Sequence, residues 1–227
     1  METTSNKMEV EVWSDIMCPF CYIGKRNYEK ALQQFAEANN VEINWKSFQL
    51  DPSIPEHSDK KESVYQYLAN RKGMSYEQSV KMHENLIQTA KNAGLEYNFD
   101  KAIIANSFNA HRMIQFAKTK GLGDKAEDRL FYAYFTQGKD FGSPSVLIEL
   151  GKDIGLTEDE VNNALANDEF AYKVKQDIQQ ARSIGVRGVP FFLFNNKYAI
   201  SGAQPPEIFL QTLQKSFEEW RKDNPLS

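Results

Sequence analysis

The sequence predicts an α/β fold in which a β-α-β half and a β-β-α half are separated by a large all-helical insertion. Three observations carry this prediction. Near the N-terminus, two stretches of alternating apolar residues flank one helical stretch. At the other end, two short apolar runs around an Asn-rich turn are followed by an amphipathic stretch. Between the halves, roughly 140 residues show helical periodicity and no strand pattern.

The first strand is Glu9-Val-Glu-Val-Trp-Ser14, where Val10 and Val12 alternate with Glu9 and Glu11. A two-residue period puts alternate side chains on opposite faces of a strand. Asp15-Ile-Met-Cys-Pro19 breaks the alternation. From Phe20 to Ala38, residues Ile23, Tyr28, Leu32 and Phe35 share one face, so this stretch reads as a helix. Val41 to Phe48 alternates again, with Val41, Ile43 and Trp45 on one side. Strand, helix and strand within about 40 residues form a β-α-β unit, whose strands run parallel with a right-handed crossover.

Asp51-Pro-Ser-Ile-Pro55 is a loop, and about six or seven helices follow it up to residue 187. Ser75-Tyr-Glu-Gln78 and Thr157-Glu-Asp-Glu160 are capping-box sequences. Gly94 and Gly155 stand where helices can close on a left-handed residue. Phe191-Phe-Leu-Phe194 and Tyr198-Ala-Ile-Ser201 read as a hairpin across Asn195-Asn-Lys197, since Asn tolerates positive φ. Glu207 to Trp220 is the closing helix, apolar at Ile208, Leu210, Leu213 and Phe217. Without the helical block, this is the element order of a thioredoxin fold. The expected organisation is a discontinuous thioredoxin-like domain, 8–48 plus 188–222, and an inserted helical domain, 49–187. The insertion should pack as a lid over the β-α-β end.

The 227 residues are 41% hydrophobic and 12% aromatic, enough for a core that needs no disulfides. Lys plus Arg number 27 against 31 acidic residues, with no basic concentration, which argues against nucleic acid or an anionic membrane as a partner. No apolar run approaches the roughly 18 residues of a membrane span. Met1-Glu-Thr-Thr-Ser-Asn-Lys7 is short and polar, unlike a secretory signal, so the chain reads as cytoplasmic.

Both cysteines of the chain lie in Cys18-Pro19-Phe20-Cys21. In a reducing compartment such a pair suits catalysis, redox sensing or metal binding better than a structural staple. A bridge closing so short a loop would constrain the unfolded chain little. Zinc would need more ligands, and His57, His83 and His111 are spaced near neither the pair nor one another. No metal is expected. A C-x-x-C between a strand and a helix is instead a redox signal. Pro19 suits the first helical position, and the helix N-terminus presents unpaired N–H groups to the Cys18 sulfur, favouring thiolate. Cys18, nearest the helix end and open water, is the expected nucleophile. Cys21, about one turn deeper, is the expected resolving thiol. Gly185-Val-Arg-Gly-Val-Pro190 precedes the returning strand and should face the cysteines. A cis Pro190 would turn Val189 towards Cys18, where its N–H and C=O could pair with an extended substrate. An ordinary trans proline opening an edge strand is the plain alternative.

Ser14-Asp-Ile-Met-Cys-Pro-Phe-Cys-Tyr-Ile-Gly-Lys25 together with Gly185-Val-Arg-Gly-Val-Pro-Phe191 resembles the DsbA-like oxidoreductases, most closely their FrnE-like branch. Asn106-Ser-Phe-Asn-Ala-His-Arg112 and Tyr134-Phe-Thr-Gln-Gly138 extend the resemblance over about residues 8 to 220. It implies a thioredoxin fold with an inserted helical domain, a redox-active disulfide at Cys18 and Cys21, and a cis Pro190 opposite. DsbA itself carries His where this chain has Phe20. Kappa-class glutathione transferases and 2-hydroxychromene-2-carboxylate isomerases share the architecture, but typically have Ser at the Cys18 position and no second cysteine.

The expected activity is thiol–disulfide exchange on protein or small-molecule disulfides, with glutathione as one candidate thiol. Pro19, Phe20, Val189 and Pro190 would shape the substrate surface, and no tightly bound cofactor is required. A glutathione-dependent transferase or isomerase and a redox-switched binding or chaperone module are the alternatives. Asp15 reads as a helix cap, a proton relay or a plain turn residue. His111 reads as a satisfied or surface histidine, with a place lining the cleft as the alternative. Phe108, Met113 and Phe116 read as core, whereas Tyr132, Tyr134 and Phe135 are either core or substrate wall. Lys60-Lys61 belongs to a solvated face.

Overall fold

The computed structural model describes residues 7–56 and 62–225. His57, Lys60-Lys61 and the first six residues of the N-terminal segment lie outside the described residues. The chain opens with β1 (Met8–Ser14), α1 (Pro19–Gln33) and β2 (Val41–Ser47). The two strands pair in parallel from Met8 opposite Val41 to Ser14 opposite Ser47. Seven described helices follow: α2 (Val64–Lys72), α3 (Tyr76–Ala93), α4 (Phe108–Thr119), α5 (Gly123–Phe135), α6 (Pro144–Asp153), α7 (Glu158–Ala166) and α8 (Asp168–Ser183). β3 (Phe191–Phe194), β4 (Tyr198–Ser201) and α9 (Pro206–Asp223) close the chain. The sheet order is β2-β1-β3-β4, with β1–β3 and β3–β4 antiparallel. This is the thioredoxin fold with its helical insertion between β2 and β3.

Local chemistry explains most boundaries. Ser75 with Gln78 and Thr157 with Glu160 each form both hydrogen bonds of a capping box. Asn195 and Asn196 take φ of 48° and 52°, the left-handed conformations that a tight hairpin turn requires. The first helix is shorter than its apolar periodicity suggests. It ends at Gln33, and a 3-10 turn at Ala38–Asn40 leads into β2. Phe35 lies beyond the helix but still faces the core, edge-on to Phe217 at 5.4 Å, so the pattern outlasts the helix.

The β1 alternation sends its side chains to two places. Val10 and Val12 join Tyr28, Ala31, Phe192, Phe194, Phe209 and Leu213 in a core between the sheet, α1 and α9. Trp13 points the other way, packing with Ala181 and Val186 and donating its indole N–H to the Asp177 carbonyl at 3.0 Å. A third core, inside the helical insertion, takes in Ile16, Tyr22 and Ile23 from the β1–α1 junction. Fully burying aromatic side chains such as Phe192 and Phe131 contributes about 2–3 kcal/mol each. The first half of α1 thus packs into the insertion, and its second half onto the sheet.

Candidate active site

Where β1 ends, Asp15-Ile-Met17 turns the chain into α1, and the Cys18 N–H donates to the Asp15 carbonyl at 2.9 Å. Cys18 is the N-cap of α1, at φ −88° and ψ 108°, and Pro19 opens the helix. The first turn carries no acidic side chain, so no carboxylate there offsets the positive end of the helix dipole. Both cysteines are free thiols. Cys21 is completely enclosed, and Cys18 is only 3% exposed. The expectation that Cys18 faces open water is corrected here: its Sγ donates instead to the Val189 carbonyl at 3.4 Å. The Val189–Pro190 bond is cis. Phe20, 48% exposed, is the outermost residue of the motif, beside a half-buried Pro19 and Val189 and a buried Pro190.

Gly24 lets these pieces close up. A Cβ at that position would stand 3.0 Å from Pro190 Cγ and 3.4 Å from Phe192 Cε2. Any larger residue on this face of α1 would press on the proline that lies against it.

Burial pushes the Cys21 thiol well above its ordinary value, and the neighbouring Cys18 adds to this. The Asp15 backbone N–H and the Ser14 hydroxyl face Cys21 and pull the other way. Tyr97, which nothing in the sequence singles out, belongs to this site. Its hydroxyl donates to the Pro19 carbonyl at 2.7 Å, and its ring stacks on Phe135 at 4.6 Å and on Tyr22 at 6.2 Å. Burial, and then the charge of Cys18, raise its phenol. Tyr97 lies in the irregular link between α3 and α4, where no periodicity or motif marks a role.

Asp15 is fully buried and does not cap α1. Its carboxylate accepts from Leu50 N–H at 2.6 Å and Met17 N–H at 3.4 Å, tying the turn before Cys18 to the segment after β2. His111, on α4, is fully enclosed, so the surface reading is overturned. Its Nε2 lies 3.6 Å from Asp15 Oδ1. Burial opposes a charged His111, but Asp15 and Glu127 outweigh it and raise the imidazole above its usual value. Glu127, on α5 and 1% exposed, is pushed up to about 7 by burial. Met113, Phe116, Tyr134 and Phe135 are core residues, Phe108 is half-buried, and Tyr132 is exposed. Among the described residues, no three His, Cys, Asp or Glu side chains group closely enough to hold a metal ion. None of the described helices is long and apolar enough to cross a membrane.

A C-x-x-C dithiol opening the first helix of this fold, faced by the residue before a proline, defines a protein of the thioredoxin class. The DSBA-like thioredoxin domain family matches residues 9–214, and the chain belongs to that family. It is similar to a probable DsbA oxidoreductase from Streptomyces coelicolor, with 36% identity, a TM-score of 0.87, and coverage of 93% of this chain and 91% of that one. The protein YwbO of Bacillus subtilis is 26% identical over 206 residues, spanning 89% of this chain and 94% of its own. The cytosolic disulfide reductase DsbM of Pseudomonas aeruginosa shares the fold at a TM-score of 0.67 and 15% identity, over 93% of this chain and 99% of that one.

Proposed function

We propose that the protein catalyses thiol–disulfide exchange with Cys18 as nucleophile and Cys21 as resolving thiol. The observation that carries this reading is the position of Cys18. It caps the N-terminus of α1, where helix N–H groups stabilise a thiolate, and its sulfur touches the Val189 carbonyl 3.4 Å away. A client disulfide would enter along Val189, Pro190, Pro19 and Phe20, replacing that contact. The Cys18 thiolate attacks one client sulfur, the client S–S bond breaks, and the first client thiolate leaves. Cys21 then loses its proton and attacks Cys18 Sγ, forming the Cys18–Cys21 disulfide and releasing the second client thiolate. The reverse sequence oxidises a client dithiol. Burial raises the Cys21 thiol, which favours its protonated form until it attacks Cys18 Sγ.

The test is turnover of an insulin-type disulfide with glutathione or dithiothreitol. Cys18→Ser should abolish it, and Cys21→Ser should stop it at a mixed disulfide. Turnover retained by Cys21→Ser with glutathione would instead favour a transferase or isomerase. Client binding without any turnover would favour a chaperone module. A cytoplasmic setting and glutathione as recycling thiol belong to the same reading. They draw support from the cytosolic reductase DsbM, whose structure is also known with glutathione.

A further inference from the structure

Three ionisable side chains, Asp15, His111 and Glu127, are fully enclosed beside the β1–α1 junction, and exchange at Cys18 and Cys21 uses none of them. Two of their polar atoms, His111 Nε2 and Glu127 Oε2, have no hydrogen-bond partner. A buried charge without compensation is costly, so such a cluster persists only if its charges balance. Asp15 is where compensation matters most. It stands three residues before Cys18, in the turn that carries the cysteine, where a bare carboxylate would oppose a thiolate. His111 Nε2 points at that carboxylate from α4, 3.6 Å away.

We propose that His111 is a positioning residue of the redox pair: as the buried counter-charge of Asp15, it cancels the carboxylate that would otherwise oppose negative charge on the cysteines. It acts through Asp15. The other groups facing the cluster fit this division. Tyr67 of α2 and Tyr134 of α5 face Asp15, Lys25 of α1 and Asp124 of α5 face Glu127, and Glu127 itself faces His111. The helical insertion thereby supplies an electrostatic part of a centre whose sulfurs it does not carry.

The inference rests on Cys18 and Cys21 being the working pair, and its test separates the two. Equilibration with glutathione breaks the Cys18–Cys21 bond. Two glutathione thiols become one glutathione disulfide, and the protein disulfide takes up their two electrons and two protons to become the Cys18–Cys21 dithiol, any proton the dithiol gives up passing to solvent. His111→Gln should move this equilibrium about tenfold towards the protein disulfide, because the thiolate form now faces an uncompensated Asp15. Asp15→Asn combined with His111→Gln should return it to within about twofold of the parent, which lost packing alone would not do. A second measurement needs no variant. By linkage, the His111 imidazole followed by NMR should hold its proton to higher pH in the dithiol than in the disulfide form. A single variant with the parent equilibrium, a double variant no nearer the parent than the single, or identical His111 titrations in both forms would each overturn the inference. A parent protein that does not exchange reversibly with glutathione would remove the underlying reading as well.

Discussion

Replacing Glu127 with Gln should stabilise the protein above neutral pH and leave it unchanged in acid. The carboxyl is 1% exposed, and burial raises it from 4.5 to about 7. In the unfolded chain the group titrates near 4.5, so between the two values the folded state binds the extra proton. A folded-state value above the unfolded one means that the contribution to stability is fully present below about pH 4.5 and is lost as pH rises through 7. The interval in proton affinity corresponds to about 3 kcal/mol. Gln keeps the shape of the protonated acid and cannot ionise. Urea unfolding of both proteins from pH 4 to 9 should therefore give curves that coincide at the acid end. They should separate through the middle of the range and differ by about 3 kcal/mol above neutrality. Parallel curves across the range would refute the reasoning, because they would mean that Glu127 ionises in the folded protein as it does in water.

Cys21→Ser should accumulate a Cys18 mixed disulfide with client or glutathione, seen by intact mass, while turnover falls by at least about a hundredfold. Gly24→Val would drive a branched side chain into Pro190 and Phe192 and should cost about 2 kcal/mol in chemical denaturation. Gly24→Ala should stay within about 1 kcal/mol of the parent, because better helix propensity offsets the tighter contact. Asp177→Ala would leave the Ser47 N–H, bonded at 2.9 Å, without its side-chain acceptor, and the Gln115 amide, bonded to Asp177 at 2.6 Å, with only Ser47 Oγ at 3.0 Å. Thermal and urea unfolding should register a loss of about 3 kcal/mol.

What the sequence revealed follows the range of the interactions concerned. The capping boxes at Ser75 and Thr157, the Asn195-Asn196 turn and the alternation of β1 are settled by neighbours a few residues away, and each was legible. The end of α1 was not. Phe35 keeps the helical spacing because the core still needs its ring, although the chain has already left the helix to reach the parallel register of β2 with β1. The enclosure of Cys18 was missed because it is made by Val189, on the far side of the insertion in sequence. The pairing of His111 with Asp15 escaped for the same reason: the two lie in different elements, and no local spacing announces a pair that forms only when α4 packs over the β1–α1 turn. Tyr97 had no signal at all, since a single hydroxyl reaching a backbone carbonyl leaves no pattern in a sequence.

The division of α1 between two cores has a mechanical consequence. Tyr22 and Ile23 are gripped by the insertion, while Tyr28 and Ala31 are gripped by the sheet. The cysteine turn sits at the gripped end, and Tyr97 reaches it from the same side. The cysteine turn is therefore tied to both halves of the molecule, to the insertion through Tyr22, Ile23 and Tyr97 and to the sheet half through Val189.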